Sequence, residues 1–201
     1  MALKFLHRTA RGGRGPVALL PGAWNPPTVA HIAIARAALS WADEIVLIIP
    51  RDLPHKQFAG VSFEERAFLL ERLAAAEDGF SAAVTESGLY FEIAAEAREM
   101  LGDAAIGLVC GRDAAERIAH WNYGRPGVFE EMVAKHPLLV ASRLGSWEGA
   151  GEGIVQIPID PSFDLVSSSE VRRRLQAGED WTLLVPEAIR GEVARLYCGR
   201  G

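Results

Sequence analysis

The sequence predicts an α/β fold with a doubly wound, mostly parallel sheet. Short apolar runs alternate with helical patterns along most of the chain, an order typical of parallel strands joined by helices. Val17–Leu20, Glu44–Pro50 and Ala104–Cys110 contain nearly continuous apolar stretches, as expected of strands covered by helices on both faces. Apolar residues make up 49% of the 201-residue chain, which is enough for one large core. We therefore expect a single domain over residues 16–201, with a small helical part at its C-terminal end.

The first fifteen residues are expected to form a flexible N-terminal tail. They contain four cations and no acid, a composition faintly similar to that of a transit peptide. The cations are Lys4, Arg8, Arg11 and Arg14. Because the apolar part of this segment is too short for a secretory signal, a basic tail is the preferred interpretation.

The first strand, Val17–Leu20, turns sharply into a helix. Residues 21–27 include three prolines and a glycine, which end regular structure, and an apolar helical pattern then runs from Thr28 to about Trp41. A helix that starts at the carboxyl end of a strand presents unpaired backbone N–H groups and a positive dipole end, which suit phosphate. Thr28 and His31 lie in its first turn and are candidate phosphate ligands. A capping threonine and a buried core histidine are an equally good interpretation of these two residues taken alone.

The remaining elements continue the alternation of strands and helices. Ser62 and Glu65 form a capping box that predicts the start of a helix. Helices are predicted over Ser62–Glu77, Tyr90–Leu101, Phe129–Ala134, Ser167–Ala177 and Pro186–Tyr197, with a short helix before Trp121, and strands over Phe80–Thr85, Pro137–Ser142 and Ile154–Ile157. Gly145–Gly153 holds four glycines and is interpreted as a mobile loop and a lid.

Two segments have the residue types of an anion site. Lys56 lies in the polar loop after Glu44–Pro50, at the carboxyl end of a strand, although a solvated surface lysine is the usual alternative. Ser167 and Glu170 form a second capping box, and three arginines occupy positions 172–174. Arginines this close to a helix N-terminus oppose the helix dipole unless serine hydroxyls, backbone N–H groups and one arginine together hold a polyphosphate. An exposed helix face is the alternative for these arginines.

Polar and aromatic candidates follow the strand Ala104–Cys110. Gly111 and Asp113 come directly after it, and Trp121 ends the short helix that follows. Asp113 could bind a ribose hydroxyl and Trp121 could stack on a planar ring, but a helix cap and a core aromatic are strong alternatives. The sequence lacks a glycine-rich dinucleotide motif after a strand, a Walker motif, a His/Cys spacing for zinc and the nucleophile elbow of hydrolases.

Charge and cysteine content narrow the classes of function. The 21 basic and 26 acidic residues give a net charge of −5, which disfavours a general nucleic-acid or membrane-surface protein. Two cysteines do not make a disulfide framework, so we expect a reducing compartment and hence the cytoplasm. No apolar run approaches the ~20 residues of a membrane span. The sequence leaves open whether the chain forms a homo-oligomer.

Two segments carry a resemblance to a known family. Gly22–His31, Gly-Ala-Trp-Asn-Pro-Pro-Thr-Val-Ala-His, resembles the (His/Thr)-x-Gly-His signature of the nucleotidyltransferase superfamily. Ser167–Arg172, Ser-Ser-Ser-Glu-Val-Arg, resembles its second signature, Ile-Ser-Ser-Thr-x-x-Arg. Further segments come in the order seen in the nicotinate or nicotinamide mononucleotide adenylyltransferases: Pro54-His-Lys56, Gly111-x-Asp113, Trp121 and Val185-Pro-Glu187. The resemblance extends from about Val17 to Tyr197.

The resemblance implies a Rossmann-like fold and the transfer of AMP from ATP to nicotinate or nicotinamide mononucleotide, with release of diphosphate. The acceptor phosphate would attack the α-phosphorus directly, without a covalent enzyme intermediate. The catalytic residues implied are His31, Lys56 and Arg172. The ATP-binding residues implied are Gly22, Ala23, Trp24, Thr28, His31, Gly111, Asp113, Ser168, Ser169 and Arg172, and the acceptor-binding residues are Asn25, Lys56, Tyr90 and Trp121. Mg²⁺ would arrive with ATP, and no protein metal site is implied.

Three positions depart from the family pattern. Pro21 and Ala30 stand where glycine is usual or frequent, and Trp24 replaces phenylalanine. A rigid φ or an added methyl group beside a phosphate could weaken its binding. Two alternatives therefore stay open, a transferase of the same superfamily with another acceptor such as phosphopantetheine, and a nucleotide-binding pseudoenzyme.

Overall fold

A computed structural model describes residues 3–10, 12, 15–52, 60–142, 145, 147–149 and 151–198. Seven strands are present in these residues: β1 Lys4–His7, β2 Val17–Pro21, β3 Glu44–Pro50, β4 Phe80–Thr85, β5 Ile106–Gly111, β6 Leu138–Ser142 and β7 Ile154–Pro158. They form one sheet in the spatial order β1-β4-β3-β2-β5-β6-β7. The pairings from β4 through β7 are parallel, and only the edge strand β1 runs antiparallel to its neighbour.

The described residues also contain seven α-helices. They are α1 Val29–Ala38, α2 Phe63–Ala75, α3 Tyr90–Leu101, α4 Arg112–Ala119, α5 Val128–Lys135, α6 Ser168–Ala177 and α7 Arg190–Tyr197. Two predicted boundaries differ: α1 ends at Ala38 rather than near Trp41, and residues 187–189 form a separate 3₁₀ turn before α7. Ile189, the last residue of this turn and the N-cap of α7, has φ −124° and ψ 4°, which interrupts the α-helical geometry there.

The helices cover both faces of the sheet, which confirms the predicted α/β fold. Along β3, Ile45, Leu47 and Ile49 belong to a core cluster that includes residues of α1, α2, α6 and α7. Val46 and Ile48 point to the other face and belong to a second cluster that includes residues of α3, α4 and α5. All seven β3 residues are buried, because side chains on both faces of the strand are covered.

The order of the strands locates a crevice between β2 and β5. From β2 the chain builds outward through β3 and β4, and it then returns to the other side of β2 to add β5, β6 and β7. The connections that follow β2 and β5 therefore lead to helices on opposite faces of the sheet, which makes this a topological switch point, where ligands of open α/β sheets bind. The β2–α1 loop and the start of α4 lie at this point.

The N-terminal segment corrects a prediction. Lys4–His7, expected to belong to a flexible tail, form β1 and pair with β4. Arg8 then pairs with the buried carboxylate of Glu44 at 3.3 Å. Leu3 is 1% exposed and packs on one face of the sheet with Phe5. The four cations among the first fifteen residues favoured the interpretation as a tail. The short apolar pattern between them becomes a strand only through pairing with β4.

No helix in the described part of the chain is both long enough and apolar enough to cross a membrane.

Candidate active site

The loop between β2 and α1 contains a tryptophan anchored in the core. Trp24 is 1% exposed, adopts a φ of 52°, and its indole N–H donates to the carbonyl of Ile48 in β3 at 2.7 Å. The Gly22 N–H donates to the same carbonyl at 2.9 Å. A Cβ on Gly22 would lie 3.0 Å from the Trp24 ring, so the indole requires a small residue there. The side chain of Trp24, predicted to bind ATP, is therefore an interior anchor.

Three side chains from outside the loop bind three of its carbonyl oxygens. Arg66 of α2 donates to Ala23 O at 2.6 Å. From α6, Arg172 donates to Asn25 O at 2.5 Å, and the Ser168 hydroxyl donates to the Pro26 carbonyl at 2.8 Å. These bonds fix the β2–α1 loop against two helices, so the two predicted signature segments lie in direct contact.

Asn25 is also engaged through its side chain. Its carboxamide oxygen accepts a hydrogen bond from the Tyr197 hydroxyl of α7 at 2.6 Å, and the residue is 7% exposed. The sequence assigned Asn25 to acceptor binding. In the structure this oxygen holds the loop to the C-terminal helix instead.

Thr28 and His31 meet in the first turn of α1. His31 Nδ1 accepts from the Thr28 backbone N–H at 3.0 Å and lies 2.7 Å from the Thr28 hydroxyl oxygen. Because a backbone N–H can only donate, Nδ1 is the acceptor, and neutral His31 carries its proton on Nε2. Thr28 is fully buried, and the His31 ring lies 5.1 Å from the Trp24 ring. Thr28 thus sets the orientation and the tautomer of His31.

The three arginines near the start of α6 have different partners. Arg173 and Arg174 both bind the Glu170 carboxylate, and these bonds lower the pKa of Glu170 to about 2. Arg172 instead turns to the β2–α1 loop and also donates to the Ser169 hydroxyl at 3.2 Å. Glu170 therefore offsets two of the charges that oppose the helix dipole, and only Arg172 faces the crevice.

The start of α4 supplies the β5 side of the crevice. Gly111 caps this helix, and a Cβ there would meet open space. Asp113, in the first turn, is an exposed carboxylate 3.8 Å from the Arg112 guanidinium. Asp113 lies beside the carboxyl end of β5, and its contact to a ribose stays a prediction.

Tyr90 and Trp121, predicted to bind the acceptor, line one cleft between α3 and α4. The Tyr90 hydroxyl donates to the Val109 carbonyl of β5 at 3.1 Å, and burial raises the pKa of Tyr90 well above its usual value. Its aromatic ring, rather than its hydroxyl, is thus what a ligand would contact.

Two predicted features lie wholly or partly outside the described residues. Lys56 belongs to residues 53–59, which the structure does not describe, and so does the rest of its Pro-His-Lys segment. The predicted lid, Gly145–Gly153, is described at only some positions. Both predictions stay untested.

Sequence reasoning missed Arg66 and Tyr197. Arg66 is 3% exposed, and burial lowers its pKa. A signal was present, because Arg66 falls at helical spacing with Leu70 and Leu73 on the buried face of α2. A charged residue at a core position needs a partner, and here the loop carbonyl provides one. The sequence around Tyr197 carries no comparable signal.

Known proteins resemble this chain in sequence and in fold. Residues 19–174 match the cytidylyltransferase-like family. The chain belongs to the cytidylyltransferase-like family. This match spans both signature segments, and it confirms the predicted nucleotidyltransferase superfamily.

The sequences of curated relatives align with most of this chain. A probable nicotinate-nucleotide adenylyltransferase of Anaeromyxobacter dehalogenans is 31% identical over 204 residues, which cover 94% of this chain and 99% of the relative. One of Salinibacter ruber is 28% identical over 191 residues, which cover 88% and 94%.

Solved structures of other proteins share the fold of this chain. The Plasmodium falciparum nicotinic acid mononucleotide adenylyltransferase complexed with NaAD gives a TM-score of 0.68 at 16% identity, covering 90% of this chain and 95% of that one. A putative nicotinate-nucleotide adenylyltransferase from Vibrio parahaemolyticus gives a TM-score of 0.64 at 16% identity, covering 92% and 96%. These matches support the Rossmann-like architecture.

Proposed function

We propose that the protein is an ATP-dependent nicotinate-nucleotide adenylyltransferase. It transfers AMP from ATP to nicotinate mononucleotide and releases diphosphate. The observation that carries this proposal is the contact between α6 and the β2–α1 loop, where Arg172 and Ser168 bind the carbonyls of Asn25 and Pro26. This contact joins the N-terminal ends of α1 and α6 around one crevice, an arrangement suited to a polyphosphate. The names of the curated relatives support the choice of acceptor.

The chemistry is a direct displacement at the α-phosphorus of ATP. An oxygen of the acceptor phosphate forms the new bond as the bond between the α-phosphorus and the bridging oxygen breaks, and that oxygen leaves with diphosphate. Negative charge accumulates on the phosphate oxygens, so catalysis consists of positioning and charge stabilisation. We assign the Nε2–H donor of His31 and the guanidinium of Arg172 to this role, and Asp113 to the ribose of ATP.

Mg²⁺ is proposed to enter with ATP. In the part of the chain that the structure describes, no group of three or more His, Cys, Asp or Glu side chains could hold a metal ion. The ion, when bound, would offset charge on the phosphate oxygens. The chain's own contribution is then to orient the phosphates through His31, Arg172 and the two helix ends. Lys56 stays a prediction for the same role, as do the cytoplasmic location and the absence of a nucleic-acid partner.

A panel of acceptors tests the proposed function. Purified protein with Mg-ATP would be given nicotinate mononucleotide, nicotinamide mononucleotide or phosphopantetheine, and with Mg-CTP a cytidylyl acceptor, while diphosphate release is measured. His31→Ala protein prepared in parallel measures contaminating activity. We expect turnover with nicotinate mononucleotide that the His31→Ala protein lacks. Turnover with phosphopantetheine alone, or ATP binding without turnover on any acceptor, would overturn the proposal.

A further inference from the structure

The cleft between α3 and α4 contains one charged side chain among apolar and aromatic ones. Tyr90, Trp121 and Tyr123 contribute rings to its wall, and Arg117 of α4 contributes the charge. The cleft is small and open to solvent, with a cavity volume of about 60 Å³. It therefore combines flat aromatic surfaces with one cation, a combination that suits an aromatic ring bearing an anionic group.

The phenol hydroxyls of the cleft are already used. Tyr90 donates to Val109 O at 3.1 Å, and Tyr123 donates to Ile118 O at 2.9 Å. Burial raises the pKa of Tyr90 well above its usual value and that of Tyr123 to about 12, so both stay neutral. Neither phenol can supply a negative charge to pair with Arg117.

Arg117 forms no ion pair and no hydrogen bond with any residue that the structure describes. The carboxylate next to it, Glu116, instead binds the indole N–H of Trp147 at 2.7 Å. The positive charge of Arg117 acts on the wall of the cleft, because it opposes the rise in the pKa of Tyr90 that burial causes. A cation at an aromatic cleft, with no carboxylate partner among the described residues, is suited to an anionic ligand.

We propose that Arg117 binds the carboxylate on the pyridine ring of the acceptor and thereby selects the acid over the amide. This inference rests on the proposed function. A guanidinium presents only donors, which match the two oxygens of a carboxylate. A carboxamide offers one oxygen and an NH₂ group that cannot pair with a donor, so the amide loses one hydrogen bond and the charge attraction. Trp121, two residues past the end of α4, lies on the same cleft and can stack on the ring.

Arg117→Gln tests this role, with Arg117→Lys and Arg125→Gln as companions. Steady-state kcat and KM would be measured for nicotinate mononucleotide, nicotinamide mononucleotide and ATP. We expect Arg117→Gln to raise the KM for nicotinate mononucleotide by about 10-fold to 100-fold, the usual worth of a charged hydrogen bond. The kcat and the KM values for ATP and for nicotinamide mononucleotide should stay close to those of the wild type. Arg117→Lys keeps the positive charge but loses the paired N–H donors of the guanidinium. Its KM for nicotinate mononucleotide should lie between those of the wild type and Arg117→Gln.

Arg125→Gln controls for the loss of a positive charge as such. Arg125 lies two residues from Tyr123, but it pairs on the surface with Glu131 at 2.7 Å and does not line this cleft. The acid-to-amide ratio of kcat/KM should therefore stay unchanged in this variant. An unchanged ratio in Arg117→Gln, an equal fall in Arg125→Gln, or a wild type that prefers the amide would each overturn the inference. A wild type that turns over neither pyridine nucleotide would instead refute the proposed function itself, and this inference with it.

Discussion

The Tyr197 hydroxyl donates a 2.6 Å hydrogen bond to the side-chain oxygen of Asn25 and so ties the last helix of the chain to the β2–α1 loop. The two residues are 172 positions apart. Asn25 O simultaneously accepts from Arg172 of α6. The conformation of the loop before His31 therefore depends on side chains from the other end of the sequence. The C-terminal helices stabilise the crevice as well as cover the sheet.

Tyr197→Phe should weaken both stability and ATP binding. The change removes one hydroxyl and leaves the buried Asn25 oxygen without that donor, which costs about 1–3 kcal/mol of unfolding free energy. Because the loop then moves more freely, the KM for ATP should rise. Urea unfolding and steady-state kinetics measure the two effects.

Tyr123→Phe is the matched control for that variant. It also removes a phenol that donates to an oxygen, the Ile118 carbonyl at 2.9 Å, but it does not touch the β2–α1 loop. Its stability should fall comparably while the KM for ATP stays unchanged. An equal rise of that KM in both variants would contradict a specific role for the contact between Tyr197 and Asn25.

Hydrophobic patterning was sufficient to predict the interior of the fold. Strands such as β3 have apolar residues on both faces, so the sequence alone indicates two covering layers. The edge strand β1 escaped prediction because four residues gain strand structure only from the partner β4. Its basic neighbours also favoured the interpretation as a tail. Local pattern thus predicts buried elements better than edges whose structure depends on tertiary pairing.

Within the site, motif spacing identified segments but not side-chain directions. His31 and Arg172 were found because their motifs place them at helix starts. Trp24 and Asn25 belong to the same motif, yet their side chains contact the Ile48 carbonyl and the Tyr197 hydroxyl. The positive φ of Trp24 and partners far along the chain decide those directions. Neither is encoded in the spacing of the motif.

Thr28→Val should lower kcat by about 10-fold to 100-fold, the effect expected when a reacting group loses its alignment. Valine keeps the shape of threonine and the backbone N–H that donates to His31 Nδ1, but it removes the hydroxyl 2.7 Å from that nitrogen. The imidazole then loses one of two contacts that orient it. Single-turnover rates at saturating ATP measure this effect.

Thr28→Ser keeps the hydroxyl and should retain most of the kcat, which separates orientation from packing. His31→Ala gives the lower limit, with a loss of about 10²-fold to 10³-fold, as for removal of a transition-state donor. All three variants should unfold cooperatively. If Thr28→Val were as active as the wild type, the hydroxyl would have no part in positioning His31.

Arg172→Lys should lower kcat/KM for ATP by about 10²-fold, because lysine lacks the planar guanidinium whose two nitrogens bind Asn25 O and the Ser169 hydroxyl. Arg173→Lys is the matched control one residue away, because the partners of Arg173 among the described residues are Glu170 and Glu179 on the surface. It should leave kcat and the KM for ATP unchanged. Parallel diphosphate assays on the two variants make the comparison, and equal losses would point to net charge rather than geometry.

His136 should make the protein less stable as pH falls below the ordinary histidine pKa of 6.5. Burial, followed by the positive charge of Arg98, lowers the pKa of His136 in the folded state. The unfolded chain therefore binds a proton first, and stability present above the unfolded pKa is lost as pH falls through the folded pKa. His136→Gln should reduce this loss in urea unfolding compared between about pH 7.5 and about pH 5. The same acid sensitivity in the variant would assign the effect to other groups.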